Sequence, residues 1–224
     1  MYNFPYYQNH YKNHQVAFTL LELITVIIVL SILATLSIPR LRRDLKQEAA
    51  DNILADIRYA QYLALTDYKH RADKPRWQRS FWRIGFNICR EDDYYEYIGS
   101  DSMDYRGGID IVEAAIDPSN GKKMLWSGSC SDGGNDITSN RIFLSHKFGI
   151  VKVETSGSCS SNNYIGFDHL GRPHNGFTRS NTPNYASIIQ TECHFTFTMT
   201  DETDFTIIIN PETGYAYIEG QENS

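Results

Sequence analysis

Residues 18–38 read FTLLELITVIIVLSILATLSI, an apolar run interrupted by one charged residue, Glu22. At 1.5 Å of rise per residue such a run is long enough, as a helix, to cross a hydrocarbon layer of about 30 Å. A carboxylate inside that layer costs about 2.5–3.5 kcal/mol on insertion scales, so Glu22 calls for a partner or a function. The run ends in SIPRLRRD with no small-residue cleavage pattern, which predicts that the segment is kept rather than removed as a secretory signal. Thr25 and Ser31 need no special role, because hydroxyls in apolar helices bond back to the preceding turn.

The flanks and the cysteines point in opposite directions. Lys12, His10 and His14 precede the run and Arg40, Arg42 and Arg43 follow it, which by the positive-inside rule places the C-terminal side in the cytoplasm. Cys89, Cys130, Cys159 and Cys193 all lie after the run, and none forms a C-x-x-C pair of the kind that holds zinc. Behind a membrane segment they read as two disulfides in an oxidising compartment, with three pairings open. RIFLSHKFGIVKVE, between Cys130 and Cys159, reads as a hairpin and favours Cys130–Cys159, leaving Cys89–Cys193. The net charge of -6 disfavours nonspecific nucleic-acid binding by the chain as a whole. The basic group Arg40, Arg42, Arg43 and Lys46 then reads as headgroup contact, with DNA the lesser reading.

AFTLLELITVIIVLSILATLSIPRL resembles the N-terminal motif of type IV pilins and type II secretion pseudopilins. The resemblance implies cleavage by a prepilin peptidase between Ala17 and Phe18 and N-methylation of Phe18. Glu22 would become the fifth residue of the mature chain and pair with a neighbour's amino terminus during filament assembly. A buried charge is tolerable only when paired, so that contact would set axial register. Ala17 stands where the family usually has Gly, and the leader is long and poor in Lys and Arg. The family's topology sides with the cysteines: N-terminus cytoplasmic, single pass in the inner membrane, C-terminal domain periplasmic.

Pro39 removes one backbone donor and is expected to kink the helix without ending it. Beyond it Leu41, Leu45, Ala49, Ile53, Ile57, Ala60 and Ala64 repeat at helical spacing, to about Lys69, and KHRADKP breaks the pattern. From Trp77 onward the texture is β, with 13% aromatic residues in the whole chain. Candidate strands are FWRIGFNIC, YYEYIG, KKMLW, RIFLS, GIVKVE, NYIGF, HFTFTMT, FTIIIN and YAYIEG. The expected fold class is α+β: a long N-terminal α-helix, membrane-spanning in its first half and amphipathic in its second, packed on a C-terminal antiparallel β-domain. The expected division is a leader at 1–17, a transmembrane or filament-core helix at 18–39, an amphipathic helix and connector at 40–74, and a β-rich domain at 75–224.

IFLSHKFGIVKV and IGFDHLGRPHNG resemble minor pilins and the type II secretion H-type pseudopilin. Gly171 fits a turn that needs positive φ, and Pro173 a turn exit. His169, His174 and His194, with Asp168, carry no nucleophile–base signature and read as turn histidines. Asp132 and Asp136 in SDGGNDITSN lack the full pattern of a calcium loop. Trp77, Trp82 and Trp126 read as core anchors rather than a carbohydrate platform. No enzyme activity, cofactor or metal is expected. The expected function is a minor pilin or pseudopilin, a subunit of a type II secretion pseudopilus or a type IV pilus. Its partners would be prepilin peptidase, other pilin or pseudopilin subunits, an inner-membrane assembly platform and the membrane. The alternative is a competence-type minor pilin whose β-domain binds DNA.

Overall fold

The computed structural model describes residues 19–89, 92–130 and 133–222, with backbone alone over 36–44. Helix α1 spans Leu20–Thr66. Strands β1 (Trp82–Ile88) and β2 (Tyr94–Gly99) follow, then a short helix α2 (Leu144–Phe148). The remaining strands are β3 (Ile150–Gly157), β4 (Tyr164–Phe167), β5 (Pro173–His174), β6 (Cys193–Met199), β7 (Asp204–Ile209) and β8 (Ala216–Ile218). The chain divides into two units, Met1–Arg43 and Asp44–Ser224.

In the larger unit the strands form two antiparallel four-stranded sheets, ordered β2-β1-β4-β5 and β3-β6-β7-β8. Along β6 burial alternates strictly, with Phe195, Phe197 and Met199 inward and Thr196 and Thr198 half-buried, as a one-sided sheet requires. Phe86 of β1 meets Phe195 and Phe197 edge-on at 5.1 and 5.0 Å, so the two sheets share one core. The part of α1 in this unit contributes Ala49, Ala50, Ile53, Leu54, Ile57, Ala60 and Ala64 to that core. Four of these seven are alanines, whose size lets the helix backbone come close to the strands. Polar contacts fasten the same helix: Gln61 Nε2 donates to the carbonyls of Gly171 and Thr213, both at 2.9 Å, and Arg58 to Ala216 at 3.0 Å.

Several expectations are corrected. Among the described residues no helix is long and apolar enough to cross a membrane. This overturns the transmembrane reading of the first half of the helix, and with it the single-pass inner-membrane localisation. The expected fold class fails with it. In place of a long membrane helix packed on one β-domain, only α1 residues from Asp44 onward belong with the β-structure, and that structure is two sheets.

RIFLS is not a strand. It forms a 3₁₀ turn at Asn140–Ile142 and then α2, closed by Gly149 at φ 72°. A short apolar run cannot be told from a buried helical turn by periodicity, and here the C-terminal glycine decides. KKMLW contributes only isolated bridges, Lys123 to Ile116 and to Thr138. With the hairpin gone, nothing brings Cys130 to Cys159. The disulfides are Cys89–Cys130 and Cys159–Cys193 instead. The β3–β6 ladder explains the second, since it pairs Gly157 with Cys193 two residues from Cys159.

Candidate functional site

Glu22 has a local partner. The Thr19 N–H and Thr19 Oγ1 donate to Glu22 Oε2 at 3.1 and 3.2 Å, and the Glu22 N–H donates to Thr19 Oγ1 at 3.2 Å. This is a capping box, which satisfies two of the orphan N–H groups at the start of α1. The Thr-x-x-Glu spacing was legible in the sequence, and it gives the carboxylate a reason independent of any neighbour. The carboxylate also sits favourably at the positive end of the helix dipole. Thr25 and Ser31 bond back to Leu21 and Ile27 carbonyls at 2.9 and 2.7 Å.

Ala17 and Phe18, the expected cleavage and methylation positions, lie outside the described residues. Pro39 lies within α1, its side chain outside the description, as do those of Arg40, Arg42 and Arg43. The eleven large apolar side chains from Leu20 to Leu33 are 46–78% exposed. At 100° per residue their positions cover every face of the helix.

The histidines do not converge on one site. His169 packs edge-on against Tyr68 at 4.5 Å, and His194 lies 3.3 Å from Glu192. His174 is buried and bridges Asp168 (Nε2, 3.3 Å) and Ser187 (Nδ1, 2.8 Å). The order Asp–His–Ser is that of a hydrolytic triad, but all three are buried and the Ser187 hydroxyl donates to the Asn184 carbonyl at 2.6 Å. A hydroxyl engaged in this way is a structural link, not an accessible nucleophile.

Asp168 organises the DHLGRP turn by accepting from the Leu170 and Arg172 N–H groups and from the Arg172 side chain, at 2.7–3.0 Å. Burial raises its pKa, but hydrogen bonds from His174 and Arg172 outweigh this and hold it well below the carboxylate range. Gly171 takes φ 77° there, as the turn requires, and Pro173 opens β5.

Trp77 is buried beside Phe81, Tyr164 and Phe177. The half-buried Trp82 donates to Asp67 at 2.9 Å. Trp126 lines a cavity of about 310 Å³ with Arg83, Tyr95 and Tyr97. Asp136 is exposed and Asp132 lies outside the described residues; among the described residues no three metal-ligating side chains converge.

A buried charge network was not legible. Arg141 donates to both oxygens of Asp56 at 2.8 Å and to Asp117 at 3.1 Å. Glu96 is fully buried nearby, and burial, then the charge of Asp56, push its pKa well above the usual value. The folded protein therefore keeps a proton that the unfolded chain releases near pH 4.3. Stability from this group is fully present below that pH and is lost as pH rises through the folded value. Glu96→Gln, which mimics the protonated acid, should gain stability relative to the parent between pH 4 and pH 8. Equal differences in thermal midpoint at the two pH values would refute this.

The cationic run KHRADKPRWQRSFWR, residues 69–83, contributes Arg71, Lys74, Pro75 and Arg76 to the wall of a cleft of about 690 Å³. No family model, no curated protein and no solved structure matches the chain.

Proposed function

We propose that the chain is a structural subunit of a pilin-like filament, a minor pilin or pseudopilin, held in place by its N-terminal helix. The supporting observation is the start of α1, apolar on every face and exposed on every face. A helix of this kind is stable only when something covers it all round. The cover that suits such a surface is the same helix from neighbouring copies. Removal of residues 1–17 by a prepilin peptidase would leave a free amine on Phe18, and Glu22 Oε1 is the carboxylate oxygen that the capping box leaves without a partner among the described residues. That oxygen is the group available to a neighbouring subunit.

The test is assembly after co-expression with a prepilin peptidase, followed by intact-mass analysis and electron microscopy. Cleavage before Phe18, with Ile27→Lys abolishing filaments while leaving the circular dichroism of the β-rich unit unchanged, is the expected result. Glu22→Gln should weaken assembly while Glu22→Asp partly restores it, since aspartate keeps the charge. Filaments that tolerate Ile27→Lys would sink the reading.

A further inference from the structure

After α1 ends, the backbone winds in successive tight turns. The N–H of Lys74 donates to the Arg71 carbonyl, that of Trp77 to Lys74 and that of Arg79 to Arg76, at 2.9–3.1 Å. Each is an i to i+3 bond, the 3₁₀ spacing that stacks side chains three apart. The spacing stacks Arg71 with Lys74; both line the cleft of about 690 Å³ together with Arg76, and Met103, Tyr105 and Asn181 are among the residues that complete it.

The support behind two of the lining residues, Tyr105 and Asn181, is built rather than incidental. Arg79 is 7% exposed, and its guanidinium donates to the carbonyls of Tyr105, Arg179 and Ser180 and to Asn181 Oδ1, at 2.9–3.3 Å. All four acceptors are neutral, so among the described residues this buried cation, which holds the lining residues Tyr105 and Asn181, has no carboxylate bonded to it. With Asn181 Oδ1 used by Arg79, its Nδ2 is the end left to donate. Tyr105 is held at φ 57°, a left-handed conformation costly for a bulky residue. The preceding Ser102 and Met103 N–H groups are fixed by Glu113 Oε1 at 2.8 and 2.7 Å. Strain held by surrounding bonds, in the wall of a cleft, is the pattern of a preorganised binding site.

We propose that this cleft binds a phosphomonoester carrying a flat, apolar group. The charges decide the class. Arg71 is paired with Asp73, and Asp104, the carboxylate that lines the cleft, with Arg106, which leaves Lys74 and Arg76 without an ion pair among the described residues. Two unpaired cations match the charge of about -1.5 to -2 on a phosphate monoester; a carboxylate leaves one of them uncompensated. Met103, 68% exposed, and Tyr105 supply an apolar wall for the rest of the ligand. The volume lies within the range of about 300–1,000 Å³ common for small-molecule sites.

The experiment uses the full chain and three probes: phenyl phosphate, inorganic phosphate and benzoate, followed by calorimetry and amide chemical shifts. Phenyl phosphate should bind at least about tenfold more tightly than either of the others, a difference of about 1.4 kcal/mol. The double variant Lys74→Ala/Arg76→Ala, altered only at exposed positions, should lose at least about tenfold of that affinity with an unchanged thermal midpoint. Absence of saturable binding at millimolar phenyl phosphate, or equal binding by the double variant, overturns the proposal. Displacement of phenyl phosphate by a DNA duplex lacking terminal phosphates, lost steeply with salt, would also overturn it, by making the cleft a phosphodiester site. None of these readouts depends on filament assembly, so the two proposals fail separately.

Discussion

Arg141→Ala is expected to destabilise the protein by about 3–5 kcal/mol, among the largest effects open to a single substitution. The side chain joins α1 to the turn around residue 117 through four hydrogen-bond contacts to Asp56, Asp117 and Met124, counting its long bond to sulfur. Removing it leaves two carboxylates buried, Asp56 at 2% and Asp117 at 0% exposure. They fare differently. Asp117 keeps hydrogen bonds from Ser119, Asn120 and Ser139 at 2.6–3.1 Å, whereas the ion pair of Asp56 is with Arg141. The double variant Asp56→Asn/Arg141→Leu should accordingly recover part of the loss, because no unpaired charge remains on the helix.

The loss should also depend on pH. Burial raises the pKa of Asp117, but hydrogen bonds from Ser139, Ser119 and Arg141 outweigh it and hold the group below its ordinary range. Stability linked to a depressed carboxylate is present above the unfolded pKa, about 3.9, and is lost as pH falls through the folded value. Arg141→Ala should therefore move the acid unfolding transition upward. Urea midpoints across pH measure both effects. A change below about 1 kcal/mol at neutral pH would show the network to be dispensable.

Removing either disulfide is the second large effect. The bridges close separations of 41 residues for Cys89–Cys130 and 34 for Cys159–Cys193. The chain-entropy relation gives about 4 kcal/mol for each, so the two lengths alone do not separate them. Context does. Cys193 begins β6, and its ladder to β3 continues to hold the neighbourhood of Cys159 after the bond is lost. Cys130 lies in no strand, so Cys89→Ser/Cys130→Ser should lose local order around Trp126 and Ser129 as well as global stability. Protection of those amides from hydrogen exchange would fall in this variant and persist in Cys159→Ser/Cys193→Ser. A non-reduced digest that linked Cys130 to Cys159 would contradict the connectivity itself.

Local patterns in the sequence carried a good part of the fold. The strict alternation in HFTFTMT reappears as the alternating burial of β6, because a strand with one covered face has period two. The spacing of Ala49, Ile53, Ile57, Ala60 and Ala64 reappears as the buried stripe of α1, because the helical period turns sequence spacing into a face. Gly171 takes the positive φ that its turn demanded. The Thr19–Glu22 box is equally local, a Thr-x-x-Glu spacing at the start of the helix that the surrounding apolar run obscures.

The sequence by itself determined what depends on neighbours a few residues apart: the helix and its apolar stripe, most strands, the turn at Gly171 and the cap at Thr19. Tertiary structure alone decided what depends on distant approach. Asp56 and Arg141 are 85 residues apart, and no periodicity announces that two charged residues will be buried against each other. The Cys159–Cys193 pairing follows the β3–β6 ladder, and RIFLS forms helical turns instead of a hairpin arm. The cleft likewise needed the basic turns after α1 to meet the loop around Tyr105, residues 26 positions from the arginine that joins them. Short-range conformational preference is written along the chain, whereas the meeting of remote polar groups is settled by how the sheets and helix close over a common core.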